Sequence, residues 1–129
     1  MITKKNKLNP ISIHGIVPVD KPHGITSMEV VRQVKKAIGQ KKVGHTGTLD
    51  PFATGVIPIC IGQATRLTEF LIDSSKEYEG LVEFGTETNT YDNFGETISQ
   101  KPTSSISSED VQSALYKFLG RVQQTPPIY

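Results

Sequence analysis

The stretch GHTGTLDPFATG at 44–55 constrains this chain more than any other. It holds three Gly, three Thr and one Pro around a single His and a single Asp, and it lies between two apolar segments. Almost no helical or strand period runs through it, so the sequence predicts a shaped loop. Connections between packed elements are usually shorter than this unless they bind or catalyse something. Asp50 stands before Pro51, whose ring drives the preceding residue out of the helical region. The loop therefore holds a carboxylate on extended backbone and aims it.

The flanking segments read as an α+β arrangement, strands with helices set among them and no regular strand-helix alternation. Residues 1–12 read as a flexible lead-in, leaving 13–129 as one unit. Gly15 to Val19 has the look of a short strand ending in Asp20, Lys21 and Pro22. Thr26 and Glu29 have capping-box spacing, and Val30, Val31, Val34, Ala37 and Ile38 recur at helical intervals up to Gly39, which predicts a helix over Ser27 to Ile38. Val56 to Ile61 is an apolar, β-branched run expected to be a strand buried on both faces, with Pro58 marking an edge or a bulge. A short helix is expected over Ala64 to Ile72. Alternation from Lys76 to Phe84 predicts a half-exposed strand. Gly85 to Glu96, with DNFG as its turn, predicts an elaborate hairpin tip returning through Thr97 to Gln100. Ser107 or Ser108 caps a last helix, and Arg121 to Thr125 reads as a strand.

With 36% hydrophobic and 21% charged residues, the composition is that of a folded domain. No apolar run approaches the ~20 residues of a membrane span, and the Lys-rich start has no apolar core behind it, so the expected location is the cytoplasm. The one cysteine, Cys60, lies in VIPICI and is read as a buried thiol. A net charge of +1 says little about partners, because placement matters more than the sum. Arg32, Lys35, Lys36, Lys41 and Lys42 lead straight into the loop and are candidate phosphate contacts, against the plainer reading of a solvated helix face.

Several chemistries fail on residue types. Neither phosphate-binding glycine pattern is present, which sets nucleotide hydrolysis aside. His45 and Asp50 make two metal ligands where three or four are needed, so no metal is expected. A nucleophile-elbow sequence is also absent. One carboxylate working without a metal remains, as nucleophile or general base, best placed beside a positive partner that keeps it ionised.

KPHGITS at Lys21 to Ser27, GHTGTLDPFATGVIP at Gly44 to Pro58, KEY at Lys76 to Tyr78 and GTETNTYDNFG at Gly85 to Gly95 together resemble, in order and spacing, the motifs of the bacterial TruB family of tRNA pseudouridine synthases. The likeness runs from about Ile13 to Tyr129. It implies the pseudouridine synthase fold, here only its N-terminal portion, with a mixed or antiparallel sheet and flanking helices. It implies isomerisation of the uridine at position 55 in the T-loop of tRNA: the glycosidic bond breaks, the uracil rotates, and a carbon-carbon bond forms at C5. No cofactor is implied, and the partner is tRNA through its T-arm, with no membrane and no obligate protein partner. By motif match Asp50 is the essential aspartate, His45 the residue that takes the flipped nucleotide's place, and Tyr78 the tyrosine against the base. Lys21, Pro22, Gly24, Gly44 and Pro51 are assigned to bracing the loop, and Asp92 to capping the DNFG turn. Whether Asp50 attacks the ring, attacks the ribose C1′ or removes a ribose proton stays open.

Base flipping costs a few kcal/mol, and stacking on aromatic rings returns ~1 to 3 kcal/mol per base. In the family the catalytic domain continues beyond the point where this sequence stops, supplying an Arg partner for the Asp and usually an RNA-binding domain. These 129 residues alone are therefore expected to lack turnover. The rival readings are a non-catalytic RNA-binding or RNA-folding module and a guide-RNA-dependent synthase of the H/ACA type.

Overall fold

A computed structural model describes residues 12–126, so the expected lead-in falls almost wholly outside the described residues, as do 127–129. Contacts divide the chain into two compact units, Met1–Glu77 and Tyr78–Tyr129.

The first unit is a three-stranded antiparallel sheet under one helix. Strand β1 (Gly15–Lys21) and strand β2 (Val43–His45) flank a central strand β3 (Gly55–Ile61), in the order β1-β3-β2. Ile57, Ile59 and Ile61 repeat every second residue and so point to one face, where helix α1 (Ser27–Ile38) lays Val30 and Val31 against them. Val43 completes this buried cluster, and Val19, Ile25, Val34, Ile38 and Leu49 pack around it. Each fully buried Val or Ile contributes roughly 1.5 to 3 kcal/mol, which makes this cluster the main source of the unit's stability.

Helix α1 begins and ends where the sequence places it. Thr26 Oγ1 accepts the Glu29 N–H at 3.1 Å, and Gly39 closes the helix in the left-handed region at φ 67°. Only half of the expected capping box forms, because the Glu29 carboxylate pairs with Arg32 one turn on.

Pro58 marks neither an edge nor a bulge: β3 is the central strand. Its carbonyl accepts the Thr46 N–H at 3.2 Å, just past the end of β2, so its polar side faces a place where β2 has already stopped. Its cross-strand partner on the other side is Pro18. The two prolines form a non-hydrogen-bonded pair, and the donor that Pro18 lacks would face the open edge of β1. Burial of β3 on both faces holds for Ile59 to Ile61, including Cys60, but Val56 is 68% exposed. The expected helix over 64–72 is a 3-10 turn (Gly62–Leu67) running into a short helix α2 (Thr68–Ile72).

Gly62 opens that turn at φ 61°, and a Cβ there would lie 2.0 Å from His14 Nδ1 and 2.6 Å from Ile13 O. The same His14 nitrogen accepts the Gln63 N–H at 3.1 Å. Gly62→Ala should therefore cost about 2 kcal/mol or more from strained φ and displaced contacts. Thermal denaturation checks this, and an unchanged Tm would show that β1 and the turn can shift apart freely.

In the second unit, β4 (Thr86–Thr88) and β5 (Thr97–Gln100) form a two-stranded antiparallel hairpin, irregular at Glu87/Thr88. Its tip is heavily hydrogen-bonded. Thr90 Oγ1 donates to Asp92 Oδ1 at 2.6 Å and the Phe94 N–H to the same oxygen at 2.9 Å, and these bonds hold the Asp92 carboxyl below its ordinary value. Helix α3 (Ser108–Leu115) starts in a full capping box between Ser107 and Asp110 and runs into a 3-10 turn (Tyr116–Phe118). The Ser107 N–H, then its hydroxyl, lower the Asp110 carboxyl as well.

Two expected strands are not formed. Residues 76–84 are irregular, and so are 121–125. Period-two alternation makes a strand only where a neighbour completes the ladder, and none pairs with either stretch among the described residues. Leu81 stands fully in solvent, and none of the described residues of this unit is buried.

Candidate active site

The site is built from the end of β1, the first turn of α1 and the loop that joins β2 to β3. Gly44 and His45 belong to β2, so the irregular loop is shorter than expected: it runs from Thr46 to Thr54. A three-residue strand holding a Gly and a His has no apolar repeat by which to recognise it.

Lys21, the last residue of β1, is 0% exposed. Its Nζ donates to Ile25 O at 2.7 Å, Pro22 O at 3.1 Å and Pro51 O at 3.2 Å. An ammonium has three donors, so three carbonyls saturate it, and that arrangement makes a buried charge tolerable without a carboxylate partner. Pro22 and Gly24 shape the turn that allows this. Gly24 takes φ 89°, and its N–H donates to Pro51 O at 2.7 Å. One carbonyl of the loop is thus held from two directions.

Ser27 holds the other side of Asp50. Its hydroxyl accepts the Leu49 N–H at 2.8 Å and donates to Leu49 O at 3.1 Å. In the sequence, Ser27 reads as the first residue of α1 and the last of KPHGITS, with no assigned bond to the loop. The usable signal was that Thr26 already caps α1, leaving the second hydroxyl for another duty. The Asp50 carbonyl itself accepts the Ala53 N–H at 3.0 Å.

On this scaffold the Asp50 side chain is exposed, and among the described residues it has no hydrogen bond and no cation within ion-pair distance. His45, opposite Ile59 at the end of β2, is half-buried, and its Nδ1 is buried without a hydrogen-bond partner among the described residues. Thr46, next to it, is buried. Lys76 caps α2, donating to Ile72 O at 2.6 Å and Ser74 O at 3.0 Å, and its side chain passes close to Gly47 in the loop. Tyr78 belongs to the second unit, on irregular backbone rather than a strand, and is 69% exposed.

The candidate phosphate contacts are mixed in character. Arg32 is engaged with Glu29, and Lys35 and Lys36 occupy the last turn of α1, where the helix dipole favours cations in any case. Lys41 and Lys42 are exposed beside β2. Two shallow clefts of about 380 Å³ each lie in the second unit, around Phe84 and Thr103, and none of His45, Asp50 or Tyr78 lines them.

A family model described as TruB family pseudouridylate synthase, N-terminal domain, matches residues 35–129, which include His45, Asp50 and Tyr78. The chain belongs to the TruB family. It is 48% identical over 117 residues to tRNA pseudouridine synthase B of Alkaliphilus oremlandii, covering 91% of this chain and 39% of that relative. It is 49% identical over 117 residues to the protein of the same name from Dehalococcoides mccartyi, with the same coverage. The chain thus spans about two-fifths of the length of these TruB relatives. A solved structure titled as an H/ACA RNP bound to a substrate RNA containing 2′-deoxyuridine is 46% identical over 43% of this chain and 18% of that one, with a TM-score of 0.42. The α+β arrangement with antiparallel sheets agrees with the N-terminal portion of a pseudouridine synthase fold. Among the described residues, no helix is long and apolar enough to cross a membrane.

Proposed function

We propose that a protein built on this chain is a tRNA pseudouridine synthase acting on the uridine at position 55 of the T-loop, with Asp50 as its essential carboxylate. The observation that carries this reading is the placement of Asp50: a carboxylate with no hydrogen bond among the described residues, whose chain neighbours Leu49 and Pro51 are held by Ser27, Lys21 and Gly24. A backbone fixed beforehand is what a reacting group needs, since geometry set in advance is not lost again in the transition state.

The reaction is an isomerisation and needs no oxidant or reductant. The bond from ribose C1′ to uracil N1 breaks, C1′ joins C5, the proton on C5 leaves, and N1 gains one. Asp50 serves as the nucleophile or the base in that sequence. His45 enters the space of the flipped nucleotide, and its buried ring Nδ1, without a partner among the described residues, supports this role, because a buried polar atom without a bond costs about 1 to 3 kcal/mol and invites a functional reason. Tyr78 stacks on the base, and the lysines beside the loop meet phosphates. The loop-bracing part falls to Lys21, Pro22, Gly24, Gly44 and Pro51.

The names of the relatives support tRNA as the substrate. Asp50 is solvent-exposed and has no cation partner among the described residues, so residues 1–129 alone are expected to show no turnover. The test is pseudouridine formation on an unmodified tRNA transcript, with no guide RNA or protein added. A version of the chain extended to the relatives' length should convert position 55, and residues 1–129 should not. Conversion that requires a guide, or product at another position, would overturn the reading.

A further inference from the structure

Ser27 is 2% exposed, so its hydroxyl has to find its partners inside the protein. A serine hydroxyl has one proton and accepting lone pairs. Here the proton goes to Leu49 O and the oxygen receives the Leu49 N–H, 22 positions along the chain. One atom on the first turn of α1 therefore fixes both polar groups of the residue before Asp50. Two positions on, Pro51 O is held by Gly24 N and Lys21 Nζ, and Pro51 itself restricts Asp50 to extended backbone. Of these restraints, only the one from Ser27 acts on Leu49, at the N-terminal side of Asp50.

We propose that Ser27 is a positioning residue for the reaction: by clamping Leu49 it sets the direction in which the Asp50 carboxylate leaves the backbone toward a bound uridine. This rests on the reading of Asp50 as the reacting group. Ser27 does not touch RNA. A merely structural Ser27 would stabilise the contact between α1 and the loop, and its loss would loosen the unit as a whole. A positioning Ser27 acts on residues 49 and 50 selectively.

The experiment uses the 129-residue chain and NMR, so it does not depend on turnover. In Ser27→Ala, amide exchange at Leu49 should speed up about tenfold or more relative to Ile57 and Ile59, as expected for losing a net hydrogen bond of ordinary strength. The Asp50 side-chain carboxyl carbon should shift or broaden while core methyl signals stay in place. Leu49 exchange that rises only in step with Ile57 and Ile59, or an unmoved Asp50 carboxyl signal, overturns the proposal. If the alanine variant does not fold, Ser27→Cys carries the same test, since it keeps the size and gives up most of the hydrogen-bond strength. The two readings fail separately: a missing selective effect at Leu49 removes the clamp, whereas absence of pseudouridine formation removes the enzymatic reading and leaves the clamp standing.

Discussion

Lys21→Met is expected to destabilise the first unit by about 3 kcal/mol. Methionine fills most of the volume of the lysine stem but has no donor. Pro22 O and Ile25 O would then lose the Nζ bond, and Pro51 O would keep only the bond from Gly24. Each buried polar group left unsatisfied costs roughly 1 to 3 kcal/mol, and relief from burying an ammonium offsets part of the sum. For a unit of this size that corresponds to a fall in Tm of roughly 12 °C or more. Lys36→Met, on the exposed face of α1, is the control and should stay within about 0.5 kcal/mol. Chemical denaturation of both variants checks the pair. If Lys21 were instead a phosphate contact, Lys21→Met would weaken RNA binding and leave the midpoint unchanged.

The contrast between Lys21 and Ser27 shows which parts of the site the sequence makes legible. Helix α1 was legible in full because its signals are local: a cap at Thr26, a 3.6-residue apolar period, and a stop at Gly39. The return strand at 97–100 was legible for the same reason, since turn residues bound it closely. What holds the loop was legible only through the motif match, which assigns Lys21 and Pro51 to bracing it but not Ser27, because its bonds span 30 positions from Lys21 to Pro51 and 22 from Ser27 to Leu49, and no local pattern records such pairings. The strand expected from Lys76 is the opposite error. Tyr78, Gly80, Val82 and Phe84 alternate cleanly with Glu77, Glu79, Leu81 and Glu83, but alternation describes what a strand would bury and does not supply the strand it pairs with. His45 sits between these cases: its place in the motif was legible, whereas its position on the short strand β2 depends on pairing with Ile59.

Asp50→Asn should separate chemistry from everything else this loop does. The amide has nearly the size of the carboxylate, and the Asp50 side chain is exposed and makes no hydrogen bond among the described residues, so Tm should move by less than about 2 °C. RNA affinity should stay within about threefold, with its salt dependence intact, because that term is expected from cationic side chains meeting phosphates and Asp50 is not one of them. An asparagine, however, is neither a useful nucleophile nor a base. In a version of the chain extended to the relatives' length, kcat for pseudouridine formation should therefore fall by about 10³-fold or more, with KM nearly unchanged, the signature of an interaction made only in the transition state. A parallel loss of affinity would mean that Asp50 orders the RNA-binding surface and that its carboxylate is structural. Retained turnover would move the reaction to another residue. Histidine substitution supplies the complementary result: if His45 fills the flipped base's position as proposed, His45→Ala leaves Asp50 in place but should weaken productive binding of a duplexed T-arm more than that of a substrate whose target uridine is already unstacked.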